Sequence, residues 1–389
     1  MGMDSLGFLF HRICEKYIFE QIFKNMADAQ LNIKPMEEWG LFSNINKPLV
    51  IAGPCSVESE EQLFETAKML QVGGIEVLRA GLWKPRTFPG SFEGIGGVGI
   101  PWLKRVQQEL KMKIATEVAN AKHVEEVLKA GIDLLWIGAR TTTNPFAVQE
   151  IAEALRGVDV PVFVKNPVNP DVELWEGALK RLNLVGLTKM AAVHRGFSAY
   201  ASSKYRNVPQ WQLPIELKQR YPNLQMFCDP SHISGQRKYV FEVSQQAMDL
   251  GFTGLFIESH ICPEHALSDA AQQLTPTDLF SLLEKLIIRV GDTENIEYKE
   301  NMDDLRAQID ILDQDLLDVL SKRMSISAEI GRYKKENNIT ILQPGRWEAL
   351  LAQVLKKGEE RGLQREFLEK IFKTIHQASI DCQTEIMNQ

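Results

Sequence analysis

Eight short β-rich apolar runs lie between residues 48 and 289, separated by stretches of roughly 25–35 residues with helical patterns, and predict an α/β fold, a (β/α)8 TIM-type barrel. After Met302 the pattern changes to one long apolar stripe at helical spacing, which predicts a small all-α domain. Size agrees: 389 residues exceed what a single core usually serves. A doubly wound open sheet is the alternative for the first part.

The expected strands are 49–52, 76–78, 113–116, 134–137, 162–164, 185–191, 225–227 and 254–257. The residues at the end of each strand sharpen the barrel reading. In order come Gly53-Pro54-Cys55-Ser56, then the cluster of Arg79, Lys84 and Arg86, then Glu117, then Gly138-Ala139-Arg140. Lys165-Asn166, His194-Arg195-Gly196, Asp229-Pro230-Ser231-His232 and Glu258-Ser259-His260 complete the series. In a barrel the carboxyl ends of the strands converge on one mouth, where active sites are found. The stretch after the second strand is the most informative. It carries three cations, is stiffened by Pro85 and Pro89, and runs into a Gly-rich segment ending at Gly99. Arginine forks match carboxylate and phosphate geometry, so this loop fits a small, multiply anionic substrate.

Composition narrows the classes. A formal net charge of -7 argues against a general nucleic-acid binder, so any anion site is local. Cys14, Cys55, Cys228, Cys262 and Cys382 are dispersed, odd in number and free of CxxC pairing, which fits a reducing cytoplasm. No run reaches the roughly 18 apolar residues of a membrane span. Apolar groups in the first 25 residues, such as Phe8-Leu9-Phe10, are broken by His11, Arg12, Glu15 and Lys16. They read either as a short amphipathic helix or as sequence upstream of a start at Met26.

The motifs Gly-Pro-Cys-Ser-Val-Glu (53–58), Lys-Pro-Arg-Thr (84–87), Gly-Ala-Arg (138–140), His-Arg-Gly (194–196) and Asp-Pro-Ser-His (229–232) together resemble the 3-deoxy-D-arabino-heptulosonate 7-phosphate (DAHP) synthases. The likeness is to the short microbial subclass related to the 3-deoxy-octulosonate 8-phosphate synthases. It implies condensation of phosphoenolpyruvate with erythrose 4-phosphate at a divalent metal, manganese in the first place, with iron, cobalt and zinc as alternatives. By this resemblance Cys55, His232, Glu258 and Asp269 are the metal ligands, a thiolate, an imidazole and two carboxylates. His260 and His265 are lesser competitors. The resemblance assigns Arg140, Lys165 and Arg195 to the phosphate of phosphoenolpyruvate, and Arg79 and Lys84 to its carboxylate. Arg86 and Thr87 would meet the sugar phosphate, and Lys84 would donate a proton. Glu117, Asp229 and His194 would orient ligands or move protons. The tetrapeptide at 84–87 favours erythrose 4-phosphate over arabinose 5-phosphate, because the sister family typically has Lys-Ala-Asn-Arg there.

Residues 291–300 are polar and read as a linker, dividing an extension (1–47) and a barrel (48–290) from a helical domain (301–389). Leu305, Ile309, Leu312, Leu316, Val319, Ile326, Ile330 and Tyr333 form the stripe, and shorter helical patterns occupy about 346–357 and 365–382. This domain resembles the all-helical chorismate mutases. By that resemblance Arg306, Arg323, Lys334, Arg346, Ser379 and Gln383 bind chorismate, with Lys334 and Gln383 at the breaking ether. Arg306 and Arg323 are 17 residues apart, roughly 25 Å along a helix. They cannot converge within one chain, so Arg306 is expected from a partner's antiparallel helix, in a homodimer or higher oligomer. Gln343 and Trp347 depart from the family, which commonly has Asp and Glu there; Glu348 stands one place late. The alternative reading is a chorismate- or prephenate-binding regulatory and dimerisation module. In either case prephenate is the expected feedback inhibitor.

Overall fold

The computed structural model describes residues 30–45, 48–87, 89–200, 203–342 and 344–388. The expected N-terminal helix and Gln343 lie outside these residues. The chain divides into two compact units, Met1–Gly291 and Asp292–Gln389. Among the described residues no helix is long and apolar enough to cross a membrane.

The first unit is a closed barrel of eight parallel strands in chain order, so the open sheet is set aside. Its strands are β1 (Leu49–Gly53), β2 (Val77–Arg79), β3 (Lys113–Val118), β4 (Leu134–Ile137), β5 (Val162–Lys165), β6 (Met190–His194), β7 (Gln225–Cys228) and β8 (Gly254–Glu258). Helices run between them, and β8 pairs back with β1 from Leu49↔Gly254 to Gly53↔Glu258. Strand β2 lies one residue later than expected, and β6 is displaced furthest. The run 185–191 looked continuous, but Val185 ends the helix Val172–Leu184 and Gly186 turns with φ 97°, so β6 starts at Met190.

Side-chain alternation divides the barrel into two layers. Ile51, Val77, Ala115, Trp136, Phe163, Val193, Phe227 and Phe256 fill the interior, while Leu78, Ile114, Leu135, Val164 and Leu255 pack outward on the helices. The N-terminal face is closed by the short helix Met36–Trp39, whose Met36 and Trp39 join the interior cluster with Leu41. Trp39 meets Phe163 edge-on at 6.2 Å. These residues, expected to belong to an extension, are part of the barrel core.

The second unit contains three helices, Ile296–Glu336, Pro344–Glu359 and Arg365–Asn388. The expected linker is therefore helical from Ile296 onward, capped by Asn295, whose side chain accepts from the backbone N–H of Tyr298. Gly331 lets the long and last helices approach closely: a Cβ there would lie 3.3 Å from the Gln383 backbone. The apolar stripe of the long helix is left in solvent, with Leu305, Ile309, Leu312, Leu316, Val319 and Ile326 each more than half exposed.

Candidate active sites

Two residues beyond each interior side chain, the strand delivers its functional group to the mouth. From Val77 this gives Arg79, from Ala115 Glu117, from Phe163 Lys165, from Val193 Arg195, from Phe227 Asp229 and from Phe256 Glu258. The two remaining strands deliver glycine, and each makes room. A Cβ on Gly138 would sit 2.1 Å from Glu117 Oε1, and one on Gly53 would sit 2.1 Å from the Arg79 carbonyl.

Cys55, His232, Glu258 and Asp269 come together, each offering one ligand atom, with these atoms within 4.8 Å of one another. Cys55 Sγ donates to Asp269 Oδ2 at 3.2 Å, and Glu258 Oε2 accepts from Gln272 Nε2 at 2.8 Å. His232 Nδ1 lies 2.8 Å from Asp229 Oδ2, which turns Nε2 toward Asp269, 3.7 Å away. Asp269 has φ 50°, a left-handed backbone uncommon for a non-glycine residue. A thiol, an imidazole and two carboxylates at this spacing fit a divalent transition ion. Burial, with Glu258 next, pushes the Cys55 thiol well above its ordinary pKa. A bound cation would have to reverse that. Lys84 Nζ already touches Cys55 Sγ and lies 3.5 Å from Asp269. Its positive charge balances the group. His260 and His265 are not members of this cluster.

Around the donors the barrel mouth forms a cavity open to solvent, lined by Arg79, Lys84, Arg86, Arg140, Lys165, Arg195 and Arg206 together with Cys55, Glu117, His232 and Asp269. Arg79 is sealed from solvent, 3.3 Å from Asp229 and 3.1 Å from Glu258, with its guanidinium 4.4 Å over the Phe256 ring. Two ion pairs thus engage the arginine expected near a substrate carboxylate. Lys165 donates to Asp229 at 2.7 Å, and burial pulls its pKa below the ordinary lysine value. Arg195 is held by Asn207 Oδ1 at 2.8 Å; burial, with Arg206 and Arg140 adding to it, lowers its pKa to about 10. Arg140 donates to Thr87 Oγ1 at 3.1 Å, linking the loops after β4 and β2. Arg86 Nη1 is 3.8 Å from Asp269.

His194 departs from expectation. It shares the parity of Met190 and Ala192, so it points outward and contacts the rings of Trp175, Phe197, Trp211 and Phe252. Burial lowers its pKa to about 3, so it stays neutral and packs as a core residue. Arg206 adds a cation beyond those expected from the strand ends. It donates to Asp269 Oδ1 at 3.1 Å and Gln272 Oε1 at 2.9 Å. No strand end marks it: the loop after β6 brings it in through the Phe197–Val208 bridge.

In the helical unit Arg323 donates to Ser379 Oγ at 2.6 Å, and Lys334 donates to Gln383 Oε1 at 3.1 Å. Ser379 and Gln383 are buried. Arg306 is exposed and pairs with Asp303 at 3.3 Å, and Arg346 is exposed as well. Within one chain these four groups converge and the two exposed arginines do not join them.

Fold and site together define a (β/α)8 enzyme whose mouth joins a metal-type donor set to a cation-lined anion cavity. The DAHP synthetase I family model matches residues 41–290, and the chorismate mutase type II model matches residues 305–384. The chain belongs to the DAHP synthetase I family and carries a chorismate mutase type II domain fused behind it. It is 32% identical over 238 residues to the phospho-2-dehydro-3-deoxyheptonate aldolase of Thermotoga maritima, covering 61% of this chain and 67% of that one. The 2-dehydro-3-deoxyphosphooctonate aldolase of Desulfotalea psychrophila is 28% identical over 261 residues, with 61% and 88% covered. A crystal structure of the Thermotoga maritima DAHP synthase superposes with a TM-score of 0.55 at 30% identity, covering 61% of this chain and 67% of that chain.

Proposed function

We propose that the barrel condenses phosphoenolpyruvate with erythrose 4-phosphate to give DAHP and phosphate, and that the helical unit rearranges chorismate to prephenate. The observation that carries the first part is the convergence of a four-donor metal-type cluster and seven cations on one cavity. Two substrates with at least four formal negative charges need such a field. Arg140, Lys165 and Arg195 grip the phosphate of phosphoenolpyruvate, with Arg79 and Lys84 toward its carboxylate and Arg86 and Thr87 toward the sugar phosphate. A divalent ion held by Cys55, His232, Glu258 and Asp269, manganese in the first place, would supply Lewis acidity at the aldehyde. C3 of phosphoenolpyruvate attacks the aldehyde carbon, and Lys84 donates a proton to the alkoxide oxygen. Water then adds at C2 and phosphate leaves. Incubation with both substrates should yield a seven-carbon phosphorylated keto acid by mass spectrometry; unreacted substrates from a metal-loaded preparation would overturn the reading.

The rearrangement needs no nucleophile, only a held conformer and charge stabilisation at the ether oxygen. Arg323 and Ser379, with Lys334 and Gln383, are suited to this. Arg306 completes the site from a second copy of the chain, and the exposed stripe of the long helix supports that pairing. The helical unit also transmits feedback from prephenate to the barrel. If a chain lacking residues 300–389 remains inhibited by prephenate, the regulatory part fails.

A further inference from the structure

Position 347, on the second helix of this unit, is a tryptophan. Its ring lies flat on the imidazole of His376, with centroids 3.9 Å apart and planes 5° from parallel. His376 precedes Ser379 by three residues and Gln383 by seven, so the three side chains fall within about 60° of arc on one helix face. Ser379 accepts from Arg323, and Gln383 accepts from Lys334. His376 therefore belongs to the same wall as the converging groups. Among the described residues its Nε2 is buried without a hydrogen-bond partner, a costly state for a polar nitrogen unless a ligand satisfies it. Burial, then the charges of Arg323 and Lys334, hold the imidazole below its ordinary pKa. It is neutral near pH 7 and offers one donor and one acceptor.

We propose that His376, steadied by Trp347, binds the ring hydroxyl of chorismate. This rests on the mutase reading of the helical unit. A hydroxyl needs only a hydrogen-bonding edge, which a neutral imidazole supplies. A neutral imidazole also brings no negative charge of its own, so it does not oppose the field of Arg323 and Lys334 on the dianionic substrate. The arrangement gives up the strength of a charge-assisted hydrogen bond and gains attraction for dianions.

The test is His376→Phe in the intact chain, which keeps a flat ring against Trp347 and removes both nitrogens; its melting profile reports folding. The kcat/KM for chorismate should fall about ten- to a hundredfold. A chorismate analogue lacking the ring hydroxyl should lose the same factor in the unaltered chain. The variant should treat both compounds alike, and His376→Asn, which restores a hydrogen-bonding edge, should recover part of the loss. Undiminished turnover in His376→Phe, or equal discrimination by both proteins, overturns the assignment of His376 alone. An unaltered chain that neither rearranges chorismate nor binds prephenate by calorimetry overturns the mutase reading, and this inference with it.

Discussion

Lys165 Nζ lies 2.7 Å from Asp229 Oδ2, with both side chains sealed inside the mouth of the barrel. The same oxygen is 3.3 Å from Arg79 and 2.8 Å from His232 Nδ1. One carboxylate thus binds two pocket cations and orients one of the four metal-type donors. Its own pKa lies well below the ordinary value, held there by His232 and Lys165 against the opposing effect of burial.

Asp229→Asn should therefore damage more than one function. It leaves Lys165 and Arg79 short of a buried counter-charge, which costs on the order of 3–5 kcal/mol. The melting temperature should drop, and barrel turnover should fall at least about a hundredfold because ligand orientation is lost too. Calorimetry and phosphate release measure the two effects. A variant that melts and turns over normally would remove Asp229 from its central place.

Cys55→Ser should lower metal content directly. The thiol is the softest donor of the set, and hydroxyl is a poor replacement for it. Metal per chain, measured by mass spectrometry after dialysis, should fall below that of the unaltered protein, and a chelator should abolish phosphate release from the latter. Full activity after exhaustive chelation would contradict the metal assignment.

Lys165 carries a pH signature. Its pKa in the folded chain is lowered, chiefly by burial, while the unfolded value is about 10.4. Between the two, the unfolded chain binds more protons than the folded one, so this group makes stability rise with pH in that window. Function moves the other way: the phosphate-gripping charge is lost earlier than from an ordinary lysine. The KM for phosphoenolpyruvate should begin to climb below pH about 10.4, and Lys165→Arg should move the climb to more alkaline pH. An unmoved climb would mean another group titrates.

Much of this barrel was readable because alternation along a strand is rigid. Phe163 inside dictates Lys165 at the mouth, and Phe256 dictates Glu258. The same rule turns His194 outward with Ala192. Arg206 was not readable, because it arrives on a loop whose path depends on long-range pairing of Phe197 with Val208. The start of β6 is blurred because Val185 is apolar but caps a helix, and apolar Leu187 bonds back through its N–H to the Leu182 carbonyl of that helix. The helical stripe was legible, yet its exposure in a single chain is a property only the structure could display.

Arg306 and Arg323 stand on one long helix, the first exposed and the second bound to Ser379. If each rearrangement site borrows Arg306 from a partner, Arg306→Ala and Arg323→Ala chains should each be inactive alone. Mixed and re-equilibrated, they should regain about a quarter of normal mutase activity, since half the dimers are mixed and carry one intact site of two. No recovery on mixing would place each site within a single chain.

The most direct measurement is phosphate release by the intact, metal-loaded chain with phosphoenolpyruvate and either erythrose 4-phosphate or arabinose 5-phosphate. The account predicts turnover with the four-carbon aldose and none above background with the five-carbon one. Equal or better turnover with arabinose 5-phosphate, or no release with either sugar, would contradict it.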